Sequence, residues 1–253
     1  MLHIYTSRLP RFISSRKLLW SKQLDRIVDR AIILSRINYG EKDRIITVLG
    51  KHQGRVSVLA KSVRTPKSKL AGGVELLSDS TITMAKGRGD LYILTSSRLN
   101  EHYQNITSDY ARLTIAYNFL KVVSKITEVG TGSELFKVLQ SSLGLLNNQS
   151  FPKELAEIWF NANVLNEVGC SPNTKTNTNG EELKKSDSYL FDFDNQCFRP
   201  SSNGRFTQNH IKFMRIMVQQ KSPEKLTNIK GSGEYAPALY NLFSQLMNYH
   251  FGL

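Results

Sequence analysis

The stretch AIILSRINYGEKDRIITVLGKHQGRVSVLAK, residues 31–61, decides the fold. Its last seven residues, RVSVLAK (55–61), alternate: Val56, Val58 and Ala60 point one way, Arg55, Ser57 and Lys61 the other. A period of two is that of a strand with one buried face. Upstream, AIILSRI (31–37) runs into the turn signal Asn38-Tyr39-Gly40. RIITVLG (44–50) then ends at Gly50, before Lys51-His52-Gln53-Gly54. Downstream, TITMAKG (81–87) alternates again with Ile82 and Met84 on its core side, and LYILTSS (91–97) follows a turn at 87–90. Five short β-rich runs separated by turn residues predict a small closed barrel of the OB type, with an aliphatic interior.

From about residue 101 the period becomes helical. Between 110 and 126, Ile115, Phe119, Val122 and Ile126 form one stripe and Leu113, Ala116, Leu120 and Val123 another. A helix apolar over so much of its girth is expected at the centre of a bundle. Leu155, Ile158, Trp159, Ala162 and Leu165 share a face in 152–168; Ile211, Met214, Met217 and Val218 do so in 208–219. Tyr235, Leu239, Leu242, Leu246 and Tyr249 fall in register in 235–249. Each stripe reads as core packing. The polar stretch SPNTKTNTNGEELKKSDS (171–188) reads as a mobile loop, and YLFDFDNQCFRP after it as a hairpin turning near Asp194-Asn195. The fold class is therefore α+β. A basic arm (1–24) precedes an OB-type barrel (25–100) and an all-α helical bundle (101–253) with a loop-and-hairpin insert at about 169–206.

The charge is uneven. The 253 residues carry a formal +13, from 34 Lys and Arg against 21 Asp and Glu. Residues 1–24 hold five basic residues and no acid, 25–100 hold 14 against 7, and 101–253 hold 15 against 14. Such a concentrated field attracts a polyanion, nucleic acid or an anionic membrane surface. No apolar run approaches the roughly 20 residues of a membrane span. Residues 1–24 admit three readings: a disordered basic arm or upstream start, an arm adding phosphate contacts, or an organelle presequence. A chain starting at Asp25 should keep the full-length melting temperature; aggregation or a clearly lower melt would make the segment structural.

The sharpest local feature is KSVRTPKSK (61–69), in which Lys61, Arg64, Lys67 and Lys69 occur without an acid. Pro66 prevents a regular helix and stiffens a projecting loop, which can lay several cations along a phosphate backbone. The bland reading is a solvated basic loop; the charge asymmetry favours the nucleic-acid one. Residues 25–100 contain only two aromatics, Tyr39 and Tyr92. Tight single-strand binders stack bases on several rings, so affinity here should come mostly from phosphates, leaving bases free to pair. The candidate contacts are Arg36, Tyr39, Lys42, Arg44, Arg55, Lys61, Arg64, Lys67, Lys69 and Arg88.

Residues 31–77 resemble the amino-terminal domain of the bacterial recombination mediator RecO family. The matching features are Tyr39-Gly40-Glu41 with Asp43-Arg44, the Gly54-Arg55-Val56 strand start, Ala60-Lys61, Arg64, Lys67-Ser68, the stretch 70–73 and Gly87-Arg88-Gly89. The carboxy-terminal half agrees in layout, with the insert beginning at Val168-Gly169-Cys170. The resemblance implies a protein that binds single-stranded and duplex DNA and anneals complementary strands. It also implies action with RecR to help load RecA onto DNA coated by single-stranded-DNA-binding protein, whose tail it would take in the helical domain. The setting implied is the bacterial cytoplasm, at the nucleoid, with no membrane partner and no cofactor. One departure stands out. Many members carry a four-cysteine zinc site of paired C-x-x-C units in the insert. Here Cys170 and Cys197 each lack the partner, and two thiolates cannot close a tetrahedral site, so no metal is expected.

Catalysis is not expected either. The five histidines (His3, His52, His102, His210, His250) show no zinc-protease spacing, and the chain has no P-loop and no G-x-S-x-G. Two other functions compete with the DNA mediator. One is an RNA-binding OB protein of the ribosome or tRNA handling; the other is an adaptor whose basic surface is incidental.

Overall fold

The structure is a computed structural model that describes residues 26–87, 89–127, 133–185, 187–219 and 222–252. The basic arm 1–24 lies outside them. Five strands close a barrel in the order β1-β2-β3-β5-β4. They are β1 (Arg26–Tyr39), β2 (Asp43–Gly50), β3 (Gly54–Ala60), β4 (Asp79–Lys86) and β5 (Leu91–Glu101). β1 is long enough to serve both neighbours: its first half pairs with β4 and its second with β2. β3 runs parallel to β5 and closes the ring.

Alternation decides what each strand buries. Ala31, Ile33, Ile46, Val48, Val56, Val58, Ala60, Ile82, Met84 and Leu94 fill the interior, aliphatic as expected. The opposite faces of β1 and β2 are buried too: Ile32, Leu34 and Leu49, with Leu77, join the core of the helical part. That is why the run Ala31-Ile32-Ile33-Leu34 does not alternate. A polar clamp seals the same junction. The Asp79 carboxylate, fully buried, accepts from Arg30 Nε at 2.8 Å, Asn100 Nδ2 at 3.3 Å and Gln140 Nε2 at 2.6 Å.

The helical part comprises α1 (Gln104–Thr107), α2 (Tyr110–Ile126), α3 (Ser133–Asn147), α4 (Lys153–Glu167), α5 (Gln208–Gln219) and α6 (Ser232–Phe251). Asp109 starts α2 by accepting from the amides of Ala111 and Arg112. The central helix is α4, not α2. It is buried continuously from Ile158 to Leu165 and packs on α3, α5 and α6. It buries Asn161 and Asn163 as well; the Asn163 amide donates to Trp159 O at 2.8 Å and Met217 O at 3.3 Å, which makes burial tolerable. α2 keeps an open face, where Tyr110 and Tyr117 are exposed. Likewise Tyr249, placed in the α6 stripe by sequence, is more than half exposed and touches Phe193 only at its edge of the core.

The insert forms a second sheet, in the order β6-β8-β7-β9. β6 is Asn173–Asn177, β7 Ser188–Asp192, β8 Cys197–Pro200 and β9 Phe206–Thr207. The predicted hairpin is β7–β8, and Asp192 caps its turn by accepting from Asn195 N at 3.0 Å. The stretch 171–188 is more ordered than its composition suggests. The buried Asn177 side chain accepts from the amides of Asn179 (2.8 Å) and Glu181 (3.0 Å), and Asn173 from those of Lys175 and Thr176. These side chains supply the turn hydrogen bonds that apolar packing cannot. Phe198 anchors the sheet, ringed edge-on by Tyr189, Phe191 and Phe206.

Candidate nucleic-acid interface

The β1–β2 turn is three residues long, closed by the pair Tyr39 and Asp43. Gly40 takes φ +59°, a left-handed conformation that favours glycine. The segment 61–69 folds back onto this turn. Ser62 N donates to Asp43 Oδ1 at 2.7 Å, Arg64 N to Lys42 O at 3.0 Å, and Arg64 Nη1 to Gly40 O at 3.1 Å. The loop is therefore less free than a projecting one. Val63 and Val74 are buried against the barrel interior, with Leu70, Ala71 and Leu76 packed beside them. These apolar residues plug one barrel mouth, while Lys61, Arg64, Lys67 and Lys69 stay exposed.

Arg36, Asn38 and Arg44 line the rim of the same mouth. Arg44 donates to Asn38 Oδ1 at 3.2 Å and to Glu75 Oε1 at 3.2 Å, and Arg36 pairs with the other Glu75 oxygen. Two guanidinium groups thus share one carboxylate. Burial pushes the Arg44 guanidinium below the usual arginine range, and Arg36 and Arg64 push it further the same way. Arg36 and Arg64 thus stand close enough to Arg44 for like charges to act on it.

Eight of the ten sequence candidates thus gather at one end of the barrel: Arg36, Tyr39, Lys42, Arg44, Lys61, Arg64, Lys67 and Lys69. Arg55 does not join them. It starts β3, at the other end, and its Nη1 donates to Ser124 O in the last turn of α2 at 2.6 Å. There it ties the barrel to the helices, satisfying a helix-terminal carbonyl. Arg55 also borders a cleft of about 450 Å³ with Lys86, Asp90 and Tyr92. Arg88 lies outside the described residues. Lys86 was not singled out from sequence, and Tyr92 was noted only as an aromatic; their proximity to Arg55 follows from the β3–β5 and β4–β5 pairings, which no local pattern reveals.

Cys170 and Cys197 are both free thiols, the first half-buried and the second buried. Among the described residues no group of three or more His, Cys, Asp or Glu side chains is placed to hold a metal ion. Elemental analysis of the purified protein should find no stoichiometric zinc; zinc that is lost on mutating either cysteine would overturn this. No helix among the described residues is long and apolar enough to cross a membrane.

A closed five-strand barrel with a cationic mouth, joined to a helical bundle, defines an OB-type architecture with a polyanion-attracting end. Comparison with known proteins specifies it. Residues 24–103 match the family described as Recombination protein O N terminal, and residues 107–253 match Recombination protein O C terminal. The chain belongs to the RecO family. It is 34% identical over 143 residues to the DNA repair protein RecO of Acetivibrio thermocellus, covering 56% of each chain. It is 32% identical over 149 residues to that of Desulfatibacillum aliphaticivorans, covering 58% of each. With that of Heliobacterium modesticaldum it shares 29% over 143 residues, 56% of this chain and 51% of the relative. The matched region thus spans little more than half the length of these relatives.

Proposed function

We propose that this protein is a DNA-repair and recombination mediator. In this reading it binds single-stranded and duplex DNA through the cationic barrel mouth and anneals complementary strands. It would work with RecR and with the tail of single-stranded-DNA-binding protein, so that RecA is loaded onto the coated strand. It acts by binding alone, with no chemical step of its own. The observation that carries the reading is the pair Arg36 and Arg44 sharing the single carboxylate of Glu75, with Arg64 close to Arg44, continued by Lys42, Lys61, Lys67 and Lys69. Cations facing one another with too little counter-charge gain from a phosphate backbone, which neutralises them and releases its own counterions. Membership of the RecO family favours DNA over the RNA alternative. Nucleoid localisation belongs to the same proposal.

The test is a competition. A labelled single-stranded DNA oligonucleotide bound to the protein is displaced by unlabelled DNA or by RNA of the same sequence. Unlabelled DNA should displace it at the lower concentration. RNA competing as well or better would favour the RNA-binding reading. Absence of any binding at physiological salt would favour the adaptor.

A further inference from the structure

Strand register sets three polar side chains on the inward side of the barrel mouth. Arg36 on β1 lies opposite Ile46 on β2, Asn38 opposite Arg44, and Arg44 opposite Ala60 on β3. Ile46 and Ala60 fill the barrel interior, so Arg36, Asn38 and Arg44 share that inward side where the barrel opens. The two arginine side chains are only 33% and 22% exposed. Between them lies the Glu75 carboxylate. One of its oxygens pairs with Arg36 Nη1 and the other with Arg44 Nη1 at 3.2 Å, while Arg44 Nε donates to Asn38 Oδ1 at 3.2 Å.

Glu75 is carried there by the segment that plugs the mouth. Val74, before it, is buried in the barrel core, and Leu77, after it, in the core of the helical part. Glu75 O accepts from Ser78 N at 3.1 Å, and Ser78 O from Ile33 N at 3.1 Å, which pins the segment to β1. The backbone is thus fixed, but the side chain is 43% exposed and has solvent to turn into. A carboxylate laid across two guanidinium groups makes the same contacts as the two non-bridging oxygens of a phosphodiester. Ion pairs open to solvent in this degree are weak enough to be exchanged. The other acids of this end are placed elsewhere: Asp43 accepts from the Ser62 amide, and Glu41 sits exposed within the β1–β2 turn.

We propose that Glu75 is an internal competitor for DNA: its carboxylate occupies the place of one backbone phosphate between Arg36 and Arg44, and a bound strand has to displace it to gain the full grip of the mouth. The inference rests on the DNA-binding reading and adds to it a residue that weakens binding. A strand meets the exposed Lys61, Arg64, Lys67 and Lys69 first. Once it is held there its phosphates are at high local concentration, and one of them can exchange for the carboxylate. The displaced carboxylate stays beside the arginines on its anchored backbone, so it returns as soon as the phosphate leaves. Contact is therefore made in two stages, one loose and one tight, and the tight stage is short-lived. A protein that brings two strands together has to release both once they have paired, and a resident anion at the mouth hastens that release.

The experiment measures binding of a single-stranded oligonucleotide by fluorescence anisotropy over a series of salt concentrations. It compares wild type with Glu75→Gln, Glu41→Gln and the double variant Arg36→Gln/Glu75→Gln. Glutamine keeps the size of the glutamate side chain and removes its charge. Glu75→Gln should bind about three- to tenfold more tightly at moderate salt, because two part-exposed ion pairs no longer have to be broken. Its log–log salt slope should steepen by up to about 0.7, the share of one added phosphate. Glu41→Gln removes the same charge without freeing the arginines and should change affinity by less than about twofold, an exposed charge being screened. The double variant should lose most of the gain, since one of the two donors has gone. Binding by Glu75→Gln that is equal to or weaker than wild type overturns the proposal, for the carboxylate would then be ordering the arginines. An equal gain from Glu41→Gln, or a gain kept in the double variant, overturns it too. If Glu75→Gln does not fold, Glu75→Ser, which leaves Val74 and Leu77 in place, takes its part with the same outcomes. Wild type that binds no DNA defeats the function itself; wild type that binds, with a Glu75→Gln variant no tighter, defeats only the competitor.

Discussion

Replacing Lys61, Arg64, Lys67 and Lys69 together by glutamine should flatten the dependence of log affinity on log salt by up to about three for a single strand, at roughly 0.7 per phosphate released. At low salt, where those contacts are strongest, this is the largest effect on binding expected of any surface change. The fold should survive. The four side chains are exposed, whereas the loop is anchored by Val63 and Val74, which the variant leaves alone. Arg64 has a second part to play, because its guanidinium donates to Gly40 O and holds the loop against the β1–β2 turn. Arg64→Gln alone should therefore cost more than Lys67→Gln alone. Annealing should fall in parallel with binding, since neutralised charge is what lets two like-charged strands approach. Tyr39→Ala should matter less than the four-fold variant, a single ring being worth about 1–3 kcal/mol even at a good stacking site. The account fails if the four-fold variant anneals like wild type at moderate salt. It fails equally if Tyr39→Ala abolishes binding and the loop variant does not.

Arg112→Ala should be the most damaging single change to stability. Arg112 is buried, and its guanidinium closes the end of α3: Nη1 donates to Leu146 O (2.8 Å) and Asn148 O (3.3 Å), Nη2 to Gln149 O (3.1 Å) and Phe151 O (3.0 Å). Those carbonyls lie at and beyond a helix C-terminus, where intrahelical donors run out. Truncation removes a planar fork that satisfies four acceptors at once and leaves at least two of them buried. At about 1–3 kcal/mol for each unsatisfied group, a loss of roughly 3–5 kcal/mol follows. For a domain of this size that lowers the melting temperature by about 10 °C, at roughly 2–4 °C per kcal/mol. Arg112→Lys should recover little, because an ammonium cannot span four carbonyls in one plane. A melting temperature within 2–3 °C of wild type, measured by circular dichroism, would show that water replaces the guanidinium.

The barrel was legible because its strands carry a local signal. Val56, Val58 and Ala60 alternate with polar neighbours, and one inward face is enough to fix such a strand. Where burial depends on a distant partner, the pattern misleads. Arg55 reads as one more cation on β3, yet its partner Ser124 is 69 residues away. α2 reads as central because its apolar stripes are broad; α4 is central although it carries Asn161 and Asn163, and the Asn163 amide reaches Met217 O on α5, a partner that only the assembled bundle provides. α3 was not singled out at all. Its Ser142 occupies a core position by returning its hydroxyl to Val138 O at 2.8 Å, and its Gly144 weakens the helical signature. In the insert, Asn173 and Asn177 look like loop composition but act as turn-forming acceptors. At the candidate site, the cations were visible in 61–69, but their convergence on Arg36 and Arg44 required the loop to fold back on the β1–β2 turn.

The most direct test of the central claim is a strand-annealing assay. Two complementary oligonucleotides, one carrying a fluorophore and the other a quencher, are mixed with the protein, first bare and then precoated with single-stranded-DNA-binding protein. Quenching should be accelerated in both cases, and the acceleration should weaken steeply as salt rises. No acceleration on bare strands at low salt, with the protein folded and bound to them, would contradict the account.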